Sequence, residues 1–491
     1  MTEPRNALVQ GIDLPAAISL VVGSMIGSGI FIVSADIARQ VNAPGLLVLV
    51  WAVTALVTVM GALSQVELVG MYPRAGGQYV FLREGLGPLW GFLYGWTLLL
   101  VIQTGTIAAV AVAFARFLGV LVPSVSPDVF LSLGRIPALG DALFTFIGRP
   151  PAAPQTIELG LSMQRLVGIG TVVLLTWVNV RGVREGAWIQ KVLTAVKVLG
   201  VGGLIVLGVV IGLTKRPEIA AANYGGFFAG VNWSLALLPM LGAAMVGSLF
   251  SSDAWNNVAF AASEVQNPRK NLPLAMILGT TIVGAIYILA NLAYLTALPL
   301  AEIQTAAQDR VGTAAAQVIF GDAGKAIMAV FIMISTFGCN NGLILAGARV
   351  SYAMARDGLF FRSVGVVDPV HHTPKVALWV QCLWTSVLAL SGTYGQLLDY
   401  VIFAAVLFYF LTAIALFRLR ATRPEAERPV STFGYPWLPG LYCLLTGAIL
   451  VDLLVQKPLY TWPGLLIVAL GAPVYALWRR FGGTAAREGA A

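Results

Sequence analysis

Three places in this chain hold residues whose types and spacing could do chemistry in an apolar setting. The first is Gly23-Ser24-Met25-Ile26-Gly27-Ser28-Gly29-Ile30-Phe31. Glycine weakens a helix by up to about 1 kcal/mol relative to alanine, and Gly23, Gly27 and Gly29 fall within one short stretch. Gly27 and Gly29 also flank a serine, which suits local unwinding. A helix interrupted there exposes amide hydrogens at the start of its second half, and those can hold a carboxylate. Close helix packing through small residues is the plainer reading of the same glycines.

The second place is Phe250-Ser251-Ser252-Asp253-Ala254-Trp255-Asn256-Asn257. A carboxylate within an apolar span is expensive and marks a functional candidate. Ser251, Ser252 and Asn256 surround Asp253 with groups that can replace broken backbone bonds. A short extramembrane loop between two helices is the competing reading. The third place is Lys197, about 9 Å beyond Lys191 at 1.5 Å per residue. Lys191 can snorkel from a helix start; Lys197 is deeper and is expected to face protein, by pairing or by bonding to free carbonyls, with snorkelling as the competing reading.

The elements that must position these groups follow from composition. The chain has 491 residues, 58% hydrophobic and 11% charged, against about 25% charged in a soluble domain. So little charge cannot surround so much apolar surface, and lipid must cover part of it. Apolar stretches of about 18 to 25 residues recur from end to end, the length that crosses the hydrocarbon layer. They lack a period of two, so helices rather than a barrel span it. Twelve helices are expected, near 13–40, 44–71, 88–119, 163–180, 187–212, 231–262, 273–296, 320–357, 375–391, 395–418, 434–454 and 458–478. The two breaks then lie in the first and sixth spans. That placement is expected of a carrier with two inverted halves, residues 11–212 and 231–419, with ligand held where the broken helices meet. Residues 434–478 add two spans, and the residues after Trp478 read as a short disordered tail, 479–491.

The net charge of +8 is explained by topology. Arg74, Arg83, Arg181, Arg184, Arg269, Arg356, Arg420 and Arg428 all fall in loops on the side of the termini. That bias predicts cytoplasmic termini and needs no nucleic-acid partner. The N-terminus shows no small-residue cleavage site, so the first helix is expected to stay. Cys339, Cys382 and Cys443 read as small packing residues, and His371 and His372 as surface residues without ligand spacing. No metal or cofactor is expected. Residues 120–160 are expected to carry a short interfacial apolar piece at 139–147, and 297–319 a helical lid.

The chain resembles the amino acid–polyamine–organocation superfamily, and within it the L-type amino acid transporter branch with its bacterial relatives. The resemblance rests on Gly27-Ser28-Gly29-Ile30-Phe31, on Glu67 followed by Tyr72-Pro73-Arg74-Ala75-Gly76-Gly77-Gln78-Tyr79, and on Asp253-Ala254-Trp255-Asn256. Lys197, Phe337-Gly338-Cys339-Asn340-Asn341-Gly342, Arg349 and Arg356-Asp357-Gly358 complete it. It implies an all-α integral membrane protein of the five-plus-five inverted-repeat fold, with discontinuous helices one and six, in a bacterial plasma membrane.

The same resemblance implies that amides at Gly27, Ser28, Gly29 and Ile30 bind a substrate carboxylate, and that Phe250 is an aromatic gate. It implies that Lys197 takes the place of a sodium ion between the first, fifth and eighth helices. Gly23, Ile26, Asn256 and Asn341 are expected to support the breaks. The implied activity is sodium-independent amino acid exchange, with small to medium neutral substrates first; a cationic, broad-range or polyamine carrier and a non-transporting sensor are the alternatives. Facilitated diffusion and proton coupling stay open because Asp253, Glu67 and Lys197 can each titrate. Ser252 stands where many relatives have tyrosine and Ala254 where they usually have glycine. Asp253 resembles the acidic residue of cystine and dibasic amino acid exchangers. Residues 120–160 contain no cysteine, so a disulfide-linked heavy chain is not expected.

Overall fold

In a computed structural model of the protein, residues 8–151, 154–391 and 394–488 are described, with the backbone course alone for 394–400 and 481–488. In lipid every backbone polar group must be satisfied within the protein, which forces apolar stretches of this length into helices. Among the described residues nine helices are long and apolar enough to cross a membrane, and a bent pair makes a tenth.

The bent pair is the first span: α1 (Leu14–Met25) and α2 (Gly29–Val41) meet at 41°. Asp13 caps α1 by accepting the Ala16 amide at 2.8 Å. The second span is α3 (Pro44–Met71), and α4 (Gln78–Leu86) is a short helix after it. The third comprises α5 (Pro88–Thr97) and α6 (Gln103–Leu121), joined through a π-helical turn at Leu98–Ile102. The loop before the fourth span carries a helix, α7 (Leu139–Phe146), between two antiparallel strands, β1 (Leu131–Pro137) and β2 (Thr156–Leu161). Sequence pattern shows α7 but not the strands, because α7 and not a tight turn connects them.

The fourth and fifth spans are α8 (Met163–Val180) and α9 (Val183–Lys215), followed by the short α10 (Pro217–Gly225). The sixth is broken: α11 (Leu237–Ser251) is separated from α12 (Asn257–Phe260) by five non-helical residues, 252–256. The expected helix over 231–262 is therefore shorter and discontinuous. The seventh is α13 (Pro268–Ala297), and the lid expected at 297–319 is built by α14 (Leu300–Gln304) and α15 (Val311–Phe320). The last spans are α16 (Ala323–Arg356), α17 (Lys375–Ala389), α18 (Tyr394–Thr422), α19 (Trp437–Gln456) and α20 (Pro458–Glu488). Among the described residues, α11 and α17 are shorter apolar helices of 15 residues at the places of the expected sixth and ninth spans.

The helix α20 continues past Trp478, where the sequence reading ended it. Its Trp478 indole donates to the Gly358 carbonyl at 3.0 Å and packs against Phe360 and Phe361, which holds the last turns to the neighbouring loop.

The core is organised around the broken spans. Helix α1 packs against α9, α13 and α16, and α2 against α11 and α15. On the side of the termini, the segment before α1 is tied down by a bridge of Ile12 to Val265 and by the Gly11 and Ile12 amides donating to the Glu264 carbonyl. The Glu264 side chain is fully buried and takes a two-pronged bond from the Arg349 guanidinium at 2.8 and 2.9 Å. A planar guanidinium fits a carboxylate in this way.

Candidate functional site

A helix that stops inside a protein leaves its last carbonyls without intrahelical donors. At the end of α1 each of them finds another partner. The Lys197 ammonium, fully buried, donates to Gly23 O at 2.8 Å, Ile26 O at 2.9 Å and Ser335 O at 2.9 Å. Three donors meet three acceptors, the whole capacity of an ammonium. Cys339 Sγ donates to Ser24 O at 2.9 Å, and the Ser335 hydroxyl lies 3.1 Å from both Ile26 O and Gly27 O. The Tyr287 hydroxyl is 2.9 Å from Met25 O and 2.9 Å from Ser251 O, so one proton is shared between the ends of α1 and α11. A positive charge at a helix C-terminus is also favoured by the helix dipole.

The glycines of this break act through proximity. None of Gly23, Gly27 and Gly29 has a positive φ. A Cβ on Gly29 would overlap Ser251, and one on Gly23 would overlap Gln190 and Thr194. Small residues let α1, α2, α9 and α11 approach this closely. At the start of α2 the first bond accepted is Phe31 N to Ser28 O at 3.1 Å, so the Gly29 and Ile30 amides precede the helical bonding pattern.

The second break is built differently. Ala254 has φ +67°, a left-handed conformation costly for any residue with a Cβ. The Asp253 carboxylate, only 8% exposed, accepts the Tyr409 hydroxyl. Asn256 Nδ2 donates to Gln78 Oε1 at 2.6 Å, and Gln78 Nε2 to Thr412 Oγ1 at 2.8 Å, which ties the break to the start of α4. The preceding loop closes on the same region: Gly76 N donates to Phe260 O at 2.9 Å and Ala75 N to Ser263 Oγ at 2.8 Å.

The two breaks share one void. Gly27, Ser28 and Gly29 line it with Phe250, Ser251 and Asp253. Its volume is about 20 Å³, room for a water and too small for an amino acid until Phe250 or its neighbours move. Ser24 lines the same void, and its hydroxyl is buried without a hydrogen-bond partner among the described residues.

Of the other residues expected here, Ile30 is fully buried with its carbonyl 3.3 Å from the Tyr294 hydroxyl. Ser252 lies on the far side of Asp253, in a second void with Thr58, Tyr409 and Tyr442. Asn341 touches neither break. The eighth span runs unbroken past it, and its amide bonds Gly186 O and Gln190 Oε1 at the junction of α8, α9 and α16. Glu67, part of the motif at the end of the second span, is fully buried between Arg420 and Arg428 and accepts the Thr432 amide at 2.9 Å. Sequence reading missed Tyr287, Ser335 and Tyr409. Tyr287 stands in the mostly apolar run 274–295 together with Thr280, Thr281, Asn291 and Tyr294, so its hydroxyl is not singled out locally, and its contacts are long-range.

The amino acid permease family profile matches residues 12–474, nearly the whole chain, both breaks included. This chain belongs to the amino acid permease family. The permease is 29% identical over 474 residues to human b(0,+)-type amino acid transporter 1, covering 95% of this chain and 87% of that one. It is 31% identical over 481 residues to rat large neutral amino acids transporter small subunit 2, covering 96% and 81%. It is also similar to mouse Asc-type amino acid transporter 1, at 29% over 483 residues, 97% and 83% covered. The permease is a multi-pass membrane protein that carries amino acids and is not an enzyme.

Proposed function

We propose that the permease exchanges amino acids without sodium, taking small to medium neutral side chains first. The observation that carries this reading is the Lys197 ammonium. It fills the three acceptors that the end of α1 and α16 present, a place where a bound cation would otherwise be needed to hold the inner half of the first span. A fixed charge there makes an external cation unnecessary.

In this reading the ligand carboxylate takes the Gly29 and Ile30 amides with the Ser24 hydroxyl beside it. Its ammonium takes lone pairs on the carbonyls of Phe250 and of the first break. Phe250 covers the ligand, and alternating access follows as the repeats 11–212 and 231–419 rock about it. The termini face the cytoplasm, on the strength of the arginine-rich loops on their side. Cationic amino acids are the second reading, favoured by Asp253, whose carboxylate borders the shared void.

Radiolabelled alanine uptake into proteoliposomes tests the proposal, in sodium-free buffer, with and without internal alanine. Uptake only with internal amino acid is expected. Strict sodium dependence sinks the role of Lys197, and equal uptake into empty vesicles sinks exchange. Equal transport of decarboxylated amines sinks the carboxylate site.

A further inference from the structure

The ends of the two broken spans on the side opposite the termini enclose a cavity that amino acid binding at the breaks does not use. Its volume is about 360 Å³, within the range of about 300–1,000 Å³ that small-molecule pockets occupy. Val41 and Asn42 at the end of α2, Leu46 near the start of α3, and Leu237 and Met240 on α11 line it. The segment leading into α11 supplies the remaining wall, with Asn232 and Ser234.

That wall is fixed by packing. Gly45 N donates to the Phe227 carbonyl at 2.6 Å, and a Cβ on Gly45 would overlap the Phe228 ring. Tyr224, Phe227, Phe228 and Trp233 follow one another in ring contacts with centroids 5.1 to 5.8 Å apart. The Tyr224 hydroxyl donates to Leu292 O on α13 at 2.9 Å.

Among the described residues that line the cavity none is charged. A free amino acid or a phosphate held there would lose its hydration and meet no counter-charge. The helices present apolar side chains, and Asn232 and Ser234 add an amide and a hydroxyl. Beside them Trp233, Leu235 and Leu238 are 64%, 84% and 63% exposed. In a chain that spans a membrane, apolar side chains this bare are covered by lipid. An aromatic cluster where a span begins marks the interfacial level of the bilayer. A cavity at that depth meets glycerol esters and the first methylenes of acyl chains.

We propose that this cavity binds one phospholipid of the leaflet opposite the termini, through its glycerol esters and the adjoining acyl chain, without reading the headgroup charge. Asn232 and Ser234 hydrogen-bond the ester oxygens, and Val41, Leu46, Leu237 and Met240 pack on the chain. The helix α2 carries the Gly29 and Ile30 amides, and α11 carries Phe250. A lipid seated between their outer ends therefore favours the arrangement in which these two halves pack together over the breaks. The site is independent of which amino acid is carried and of how its transport is coupled.

The test uses phospholipids with a diazirine near the acyl ester, in phosphatidylglycerol and phosphatidylcholine forms, reconstituted with the full chain. After illumination, mass spectrometry maps the labelled peptides. Labelling concentrated at 41–46 and 229–240, equal for both headgroups, is expected. Ala236→Trp fills the cavity with an indole and should cut that labelling about tenfold, a change of 1.4 kcal/mol in binding. Labelling along α20 should stay unchanged. Ala229→Phe fills the cavity from the segment before α11 and serves if the first variant fails to fold. Phospholipid added to delipidated protein should raise the melting temperature of the wild type more than that of either filled variant. Even labelling over all lipid-facing helices, or labelling at the cavity that neither variant reduces, overturns the proposal. Enrichment with phosphatidylglycerol alone overturns the uncharged recognition. Labelled alanine that binds delipidated protein at a second site lost in Ala236→Trp assigns the cavity to a soluble ligand instead. Disulfide-linked dimers through Leu235→Cys assign it to a second copy, and either result overturns the lipid site.

Discussion

The two helix breaks solve one geometric problem with opposite chemistry. At the first, Gly23, Gly27 and Gly29 all keep ordinary backbone angles, and the freed carbonyls are satisfied by a lysine, a thiol and two hydroxyls from other spans. At the second, no glycine is present. An alanine occupies the left-handed region that glycine favours, and the break is held by the side chains of Asp253 and Asn256. Glycine therefore serves here to let helices touch, while the sharp turn is carried by a residue ill suited to it. The difference teaches that the first break is fastened by side chains of other spans, whereas the second reaches out with its own side chains and takes one outside hydroxyl, that of Tyr287, at Ser251 O.

The largest expected effect follows from that fastening. Lys197→Met strips the Gly23 carbonyl of its donor and leaves other buried acceptors short. A buried acceptor left bare costs about 1–3 kcal/mol, so the variant should lose on the order of 3 kcal/mol by thermal melting in detergent. Alanine exchange should fall about 100-fold, since 1.4 kcal/mol is roughly tenfold. Unchanged melting and kinetics would show that the first break needs no external fastening, and the contrast between the breaks would collapse.

Next comes Gly29→Ala, whose methyl meets Ser251. Overpacking of this kind costs about 1–3 kcal/mol, and exchange should drop roughly 10- to 100-fold. Ser251→Gly in the same chain should restore much of it, because it removes the side chain that the methyl strikes. Gly27→Ala is the internal comparison. Its methyl would stop 3.3 Å from Cys339 Sγ, tight but yielding, so its loss should be the smaller. Equal losses at 27 and 29 would mean that glycine is needed for its backbone freedom after all.

Tyr287→Phe should act on both breaks at once, since its hydroxyl bridges Met25 O and Ser251 O. A loss of about 1–2 kcal/mol is expected by melting. A double variant with Gly29→Ala should lose less than the two single losses combined, because both act on the same junction. Strict additivity would place the two effects at independent sites.

How much of this was legible in the sequence depends on reach. The spans, both interruptions and the depth of Lys197 follow from local pattern, since a glycine cluster, a carboxylate or a lysine in an apolar run is conspicuous where it stands. The lysine's acceptors at Gly23 and Ile26 lie more than a hundred residues away; the resemblance placed the lysine between the first, fifth and eighth helices without naming them. Nothing local marks Tyr409 as the partner of Asp253, or Glu264 as the partner of Arg349, because helix packing decides which faces meet. Asn341 was misplaced for the same reason. Its polarity was visible, but the rotation of α16 turns it toward α8 and α9. The β1–β2 hairpin escaped because its strands are short, fully or partly exposed, and separated by a helix.

The smallest expected effect is the most pointed test of the comparison. If Ala254 holds the second break against its own backbone preference, Ala254→Gly relieves a left-handed penalty of about 1–2 kcal/mol. The added freedom of glycine in the unfolded chain takes back roughly 0.5–1 kcal/mol. A net gain of up to about 1 kcal/mol should appear as a slightly higher melting temperature. The same exchange of residues has opposite signs at the two breaks: glycine to alanine costs at 29, and alanine to glycine gains at 254. A destabilised Ala254→Gly would mean that the methyl packs usefully beside Cys339 and Gly27 around the shared void, and that packing, not backbone geometry, chose alanine there.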